Sequence, residues 1–165
     1  MTTRIAKIFL LAAVALFYTL VVFNNTTDFD SNYQFVRHVL SMDSTLPGNK
    51  GMWRALTTPA WHMAFYWSII LWELVTAILC WWGAIALFRA LREPAAVFGR
   101  AKRIPILALT LGMLMWLVAF LIVGAEWFLM WQSHIWNGQE AAFRMFVVVG
   151  VVLLIILQPD RDEQA

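Results

Sequence analysis

Glu73 is the residue in this sequence best placed to do chemistry. It stands fourteen positions beyond Pro59 within an apolar stretch. At 1.5 Å per residue that is roughly 20 Å along a helix, near the middle of a membrane. A charged carboxylate at that depth costs roughly 2.5–3.5 kcal/mol on insertion scales, so the side chain is expected to face the interior of a bundle. His62, Tyr66 and Glu73 share one helical face, since offsets of four, seven and eleven residues return close to the start. Thr76 and Cys80 extend the stripe. Such a polar track suits a proton, an ion or a polar headgroup entering from outside. The competing reading is a buried carboxyl that only ties helices together by hydrogen bonding, and the lack of an identifiable partner favours it.

A second set of polar residues is expected at the same outward level. Arg54 and His62 precede or open the second apolar stretch, Glu126 closes the third, and Arg144 opens the fourth. With Tyr66 and Glu73 they outline a candidate ligand or proton pocket. Charges near helix ends also pair or snorkel cheaply, and structural pairing is the favoured role for this ring. The three histidines, His38, His62 and His134, lack the spacing of a metal or haem site, so no metal ligand and no cofactor is expected. A lone Cys80 cannot support disulfide exchange. Phosphate-loop, nucleophile-elbow and dinucleotide-binding motifs are missing, so no catalytic residue is assigned.

Composition names the elements that must position these groups. Of 165 residues, 62% are hydrophobic and 13% charged, and mean hydropathy is +0.71. Soluble domains run at about 45–50% apolar and about 25% charged, so a water-soluble globule is excluded. Disorder is excluded too, since it needs low hydrophobicity and high net charge. The net charge of +2 comes with basic residues gathered on short segments, a pattern of membrane orientation rather than of nucleic-acid binding.

Four apolar stretches follow one another, with helices expected at about 5–23, 59–89, 104–131 and 141–157. They are too long and continuous for barrel strands. The fold expected is all-α: an integral membrane four-helix bundle forming a single transmembrane domain over 1–165. A long outer loop, 24–58, joins helices one and two. The first stretch is read as a retained helix because bulky Leu20 to Phe23 stand where signal cleavage needs small residues. Within the loop, Phe35, Val36, Val39, Leu40 and Met42 predict a short amphipathic helix on the membrane surface.

Eight of the twelve Lys and Arg lie on the two terminal segments and the 89–103 connection. The positive-inside rule therefore puts both termini in the cytoplasm. Trp53, Trp61, Trp127, Trp131 and Trp136 would then mark the outer boundary.

The segment NNTTDFDSNYQFVRHVLSMD, then MWRA, Pro59 with His62, the Trp72-Glu73 region and GAEWFLMWQSHIWNGQEAAFR together resemble a bacterial family. That family consists of predicted small integral membrane proteins and is a domain of unknown function. The likeness implies a bacterial inner-membrane protein of four helices and carries over no activity. Its partners are expected to be the lipid bilayer and other membrane subunits or itself, with no nucleic acid. The first functional reading is a non-enzymatic subunit or stabilising partner of a membrane complex. The rival is a small-molecule, ion or lipid-handling protein with an outward-opening polar pocket around Glu73. A pocket walled by the named residues, with Glu73 pointing in, would favour the rival.

Overall fold

A computed structural model describes residues 1–160. Arg161, counted above with the basic end, lies outside the described residues. Six α-helices occur in chain order: α1 (Thr2–Thr27), α2 (Phe29–Ser41), α3 (Pro59–Arg89), α4 (Ala95–Ala101), α5 (Arg103–Leu114) and α6 (Gln139–Leu157). Between α5 and the next turn, Met115–Trp127 continues the same rod with wider π-helical winding. Among the described residues four stretches are long and apolar enough to cross a membrane: Thr2–Thr27, Pro59–Arg89, Ala95–Trp127 and Gln139–Leu157. No strand occurs among the described residues. The chain is an all-α helical bundle of the integral membrane kind.

Large apolar side chains cover its outside. Phe9, Leu71, Phe88, Phe143 and Leu154 are each at least 60% exposed, where hydrocarbon rather than water is the favourable neighbour. The inward face is narrower. On α1 the buried residues Arg4, Lys7, Leu11, Val14, Tyr18 and Asn25 recur at spacings of three, four and seven, a single seam along the helix. On α3 the buried set includes His62, Tyr66, Glu73, Thr76 and Cys80, the stripe that the sequence marks out.

Small residues let the helices approach closely. A Cβ added at Gly83 would stand 2.9 Å from the Pro105 ring, so α3 and α5 meet there at backbone distance. At Gly112 a Cβ would come within 2.7 Å of the Tyr18 hydroxyl, which accepts a hydrogen bond from Trp116 Nε1 at 2.9 Å.

One end of the bundle gathers both chain ends. Arg4 donates from Nη1 to the carbonyls of Leu91 (3.1 Å) and Glu93 (2.6 Å), and its guanidinium lies 4.8 Å over the Phe98 ring. Lys7 donates to the Gln158 carbonyl at 2.6 Å and pairs with Asp160 at 2.9 Å. Lys102 donates to the same carbonyl and pairs with the other Asp160 oxygen. Burial by itself would raise the Asp160 carboxyl, but hydrogen bonds from Lys102 and Lys7 hold it below the usual carboxylate range. The start of α1, the α3–α5 connection and the end of α6 are thus clasped together.

At the opposite end α2 folds back over the bundle. Its Val36, Val39 and Leu40 pack with Tyr66, Ile70, Ala125, Phe128 and Met130. The sequence predicted a helix whose apolar face lies on the membrane; the helix is there, but its apolar face is buried against α3 and the π-helical stretch. The reason is length. α3 and Ala95–Trp127, at 31 and 33 residues, are longer than α1 and α6, at 26 and 19, and their apolar flanks give α2 a protein surface to cover. Met42 ends α2 in the left-handed region (φ 55°), turning the chain toward a loop that the Leu56 N–H ties to the Leu40 carbonyl at 2.8 Å.

Candidate polar cavity

Glu73 points into a cavity of about 250 Å³ between α1, α2, α3, the π-helical stretch and the start of α6. The carboxyl is 3% exposed. Asn25 Nδ2 donates to Glu73 Oε2 at 2.7 Å, and Asn32 Nδ2 on α2 donates to Asn25 Oδ1 at 2.7 Å. The Tyr66 hydroxyl donates to the Asn25 carbonyl at 3.2 Å. Glu73 Oε1 has no hydrogen-bond partner among the described residues. Val21, Phe35, Val36, Ile69, Trp116, Phe120, Gly138 and Ala141 complete the wall.

Each wall residue owes its place to local sequence. α1 runs on to Thr27, past the Phe23 boundary expected for it, and so carries Asn25 as a helical residue on the buried seam. The hydroxyls of Thr26 and Thr27 bond back to carbonyls one turn earlier and keep that last turn closed. In the π-helical stretch each turn is wider than in an α-helix, and such winding is rare and often found at functional sites. It brings Trp116 and Phe120 to the cavity. Gly138 leaves room for Phe35, whose ring a Cβ there would meet at 2.9 Å.

The level of Glu73 in the bundle can be read from its neighbours. Its partner Asn25 lies two residues before the end of α1, and the cavity takes in Gly138 and Ala141 at the start of α6. From Lys7 to Asn25 is about 27 Å of helix, close to the roughly 30 Å of a hydrocarbon core. The carboxyl is therefore level with the last turn of α1 and the first turn of α6, and the first turns of α3 run on past that level.

A second, apolar space of about 190 Å³ adjoins the first. Phe35, Val36, Ile69 and Phe120 are walls of both. Its remaining lining includes Phe65, Trp72, Val123, Phe128 and Met130, with Ser68 as a rare polar group. A polar chamber and an apolar chamber thus stand side by side.

Of the six residues expected to outline a pocket, Tyr66 and Glu73 line the polar cavity. Arg54, His62, Glu126 and Arg144 are not among its lining. His62 is buried, and its Nε2–H donates to the Leu56 carbonyl at 2.6 Å, fixing the loop onto α3. Arg54 donates to the carbonyls of Glu126 (3.4 Å) and Trp127 (3.1 Å) and lies 5.5 and 5.4 Å from the rings of Trp53 and Trp127. The side chains of Glu126 and Arg144 are exposed. Sequence reasoning missed Asn25 and Asn32. The signal for Asn25 was its place seven residues after Tyr18 on the seam of α1; Asn32 carried none.

Residues 3–159 match a family described as predicted small integral membrane protein (DUF2165). No curated protein and no solved structure matches the chain.

Proposed function

Since the chain belongs to this family of predicted small integral membrane proteins, whose description stops at membrane residence, we propose a function from the cavity: the protein binds a small amphiphile. The observation that carries the reading is Glu73, a carboxyl that is 3% exposed and has one oxygen unpartnered toward a cavity beside an apolar chamber. The oxygen without a protein donor can accept a hydrogen bond from a ligand in the cavity. The head of the ligand sits against Glu73, Asn25 and Tyr66, and its apolar part lies along Phe35, Ile69 and Phe120. Both chambers are smaller than drug-sized pockets of about 300–1,000 Å³, which sets the ligand at a modest size.

The membrane in this proposal is the bacterial inner membrane, with both termini in the cytoplasm. The basic clasp of Arg4, Lys7 and Lys102 supports that orientation, and the cavity then stands at the periplasmic face. Reporter fusions after Arg100 and after Pro47 test it, with cytoplasmic and periplasmic signals expected respectively.

Mass spectrometry of the protein purified in mild detergent tests the binding function. Wild type should retain a small amphiphile, and Ile69→Trp, which fills the shared wall, should lose it while remaining folded. Retention of a stoichiometric protein partner with no small molecule would favour the second reading, a subunit of a membrane complex. Arg54 and His62, which bond to backbone carbonyls rather than line the cavity, fit that reading.

A further inference from the structure

We infer that the head of the ligand is a cation: the Glu73 cavity takes an ammonium-headed amphiphile, a short-chain alkylamine or its N-methylated form. The inference rests on the binding function proposed above and adds the sign of the charge. None of the twelve residues lining the cavity is Lys, Arg or His. The one acid in the wall therefore has no base to answer it. Asn25 gives Glu73 a single neutral hydrogen bond, and Asn25 Oδ1 is itself occupied by Asn32. A carboxylate so placed lacks the paired charge that buried ions require, and an ammonium at Oε1 supplies it.

The remaining walls suit the same head. Tyr66, Trp116, Phe120 and Phe35 line the same cavity, and aromatic rings attract cations. An anionic head would meet the carboxylate with like charge and no compensating donor beyond amides. A neutral alcohol would gain a hydrogen bond alone. The adjoining apolar chamber, lined by Phe65, Val123 and Phe128, receives an alkyl chain. The volume of about 250 Å³ limits that chain to a short one.

Equilibrium binding to the full chain in lipid nanodiscs, with empty nanodiscs subtracted, reads the charge preference. The probes are tritiated hexylammonium, hexanol and hexanoate at neutral pH. Hexylammonium should saturate near one site per chain, hexanol should bind about tenfold more weakly or worse, and hexanoate should not compete. Glu73→Gln should lower hexylammonium affinity by about tenfold or more and leave hexanol nearly unchanged. If hexanol matches hexylammonium, or the Gln variant keeps the ammonium affinity, the charge assignment is wrong and the amphiphile pocket stands. Should none of the three probes bind saturably, the binding function falls with it. The order of the probes on wild type decides the matter even if the variant does not fold.

Discussion

The two ends of the bundle each bury a carboxylate, and they treat it in opposite ways. Asp160 receives two lysines, and Gln158 offers both of them its carbonyl as well. Glu73 receives one asparagine and faces open space. The first arrangement closes three segments of chain around paired charges. The second leaves an interaction unmade. Buried ionic groups that are fully paired specify geometry, whereas one left part-paired in a membrane protein is available to a ligand. On the binding function proposed above, the α2 end is the working end and the opposite end the anchor.

The strongest way to break this contrast is to unpair the anchor. Asp160→Asn removes the negative charge and leaves Lys7 and Lys102 beside neutral acceptors alone, one amide oxygen and the Gln158 carbonyl. Both members of the Lys7–Asp160 pair are almost wholly buried, with side-chain exposures of 4% and 3%. Removing one partner of such a pair costs about 3–5 kcal/mol, to be seen as a lowered unfolding midpoint in detergent. Acid should act in the same direction. A carboxyl held below its ordinary range contributes stability above that range, and the contribution is lost as pH falls through the depressed folded value. The unfolding midpoint of wild type should therefore drop only in strong acid, and that acid step should vanish in Asp160→Asn.

Gly112→Ala lies between the two ends and should show a middling effect. The new methyl meets the Tyr18 hydroxyl, a fully buried group fixed by Trp116. Overpacking of this kind costs about 1–3 kcal/mol, and it should also shift Trp116 in the cavity wall. Thermal unfolding measures the first effect, and probe affinity in nanodiscs the second. Asn32→Ala removes the link from α2 to Asn25 at a cost near the roughly 0.6 kcal/mol of an average polar contact within membranes. Hydrogen exchange should then rise over residues 29–41 and stay unchanged in α6.

Glu73→Gln should change folding least of all. Its remaining carbonyl oxygen can still accept from Asn25, so the unfolding midpoint should stay within the effect of one weak contact, about 0.6 kcal/mol. The same change made at Asp160 is the most damaging substitution considered. A large destabilisation from Glu73→Gln would erase the distinction between the ends and return Glu73 to a structural role.

Particular residues show how far the sequence was legible. Pro59 opens α3 at its first position, where the missing N–H is no loss, and Arg89 closes it in the structure. The buried stripe from His62 to Cys80 follows from helical spacing alone, because five polar or reactive residues on one face cannot all face lipid. What the sequence left open was the vertical register of the helices. Hydropathy gives a length for each span but no common origin, so counting from Pro59 did not reveal that Asn25 and Gly138 stand at the level of Glu73. α2 illustrates the same limit. Its amphipathic pattern requires an apolar neighbour and does not say whether that neighbour is lipid or protein.

By itself, then, the sequence determined the all-α membrane class, the four apolar helices and the inward face of α3, since each depends on composition and periodicity within one segment. Only the tertiary structure decided that Asn25 and Asn32 stand beside Glu73, that Lys7 and Lys102 share Asp160, and that Arg54 and His62 are taken up by backbone carbonyls. Most of these pairings join residues 48 to 153 positions apart, and the others depend on how α2 and the loop after it lie on the bundle. In a lipid environment every apolar face is acceptable outward, so periodicity cannot choose among ways of packing the helices; close contacts such as Gly83 on Pro105 and Tyr18 on Gly112 make that choice.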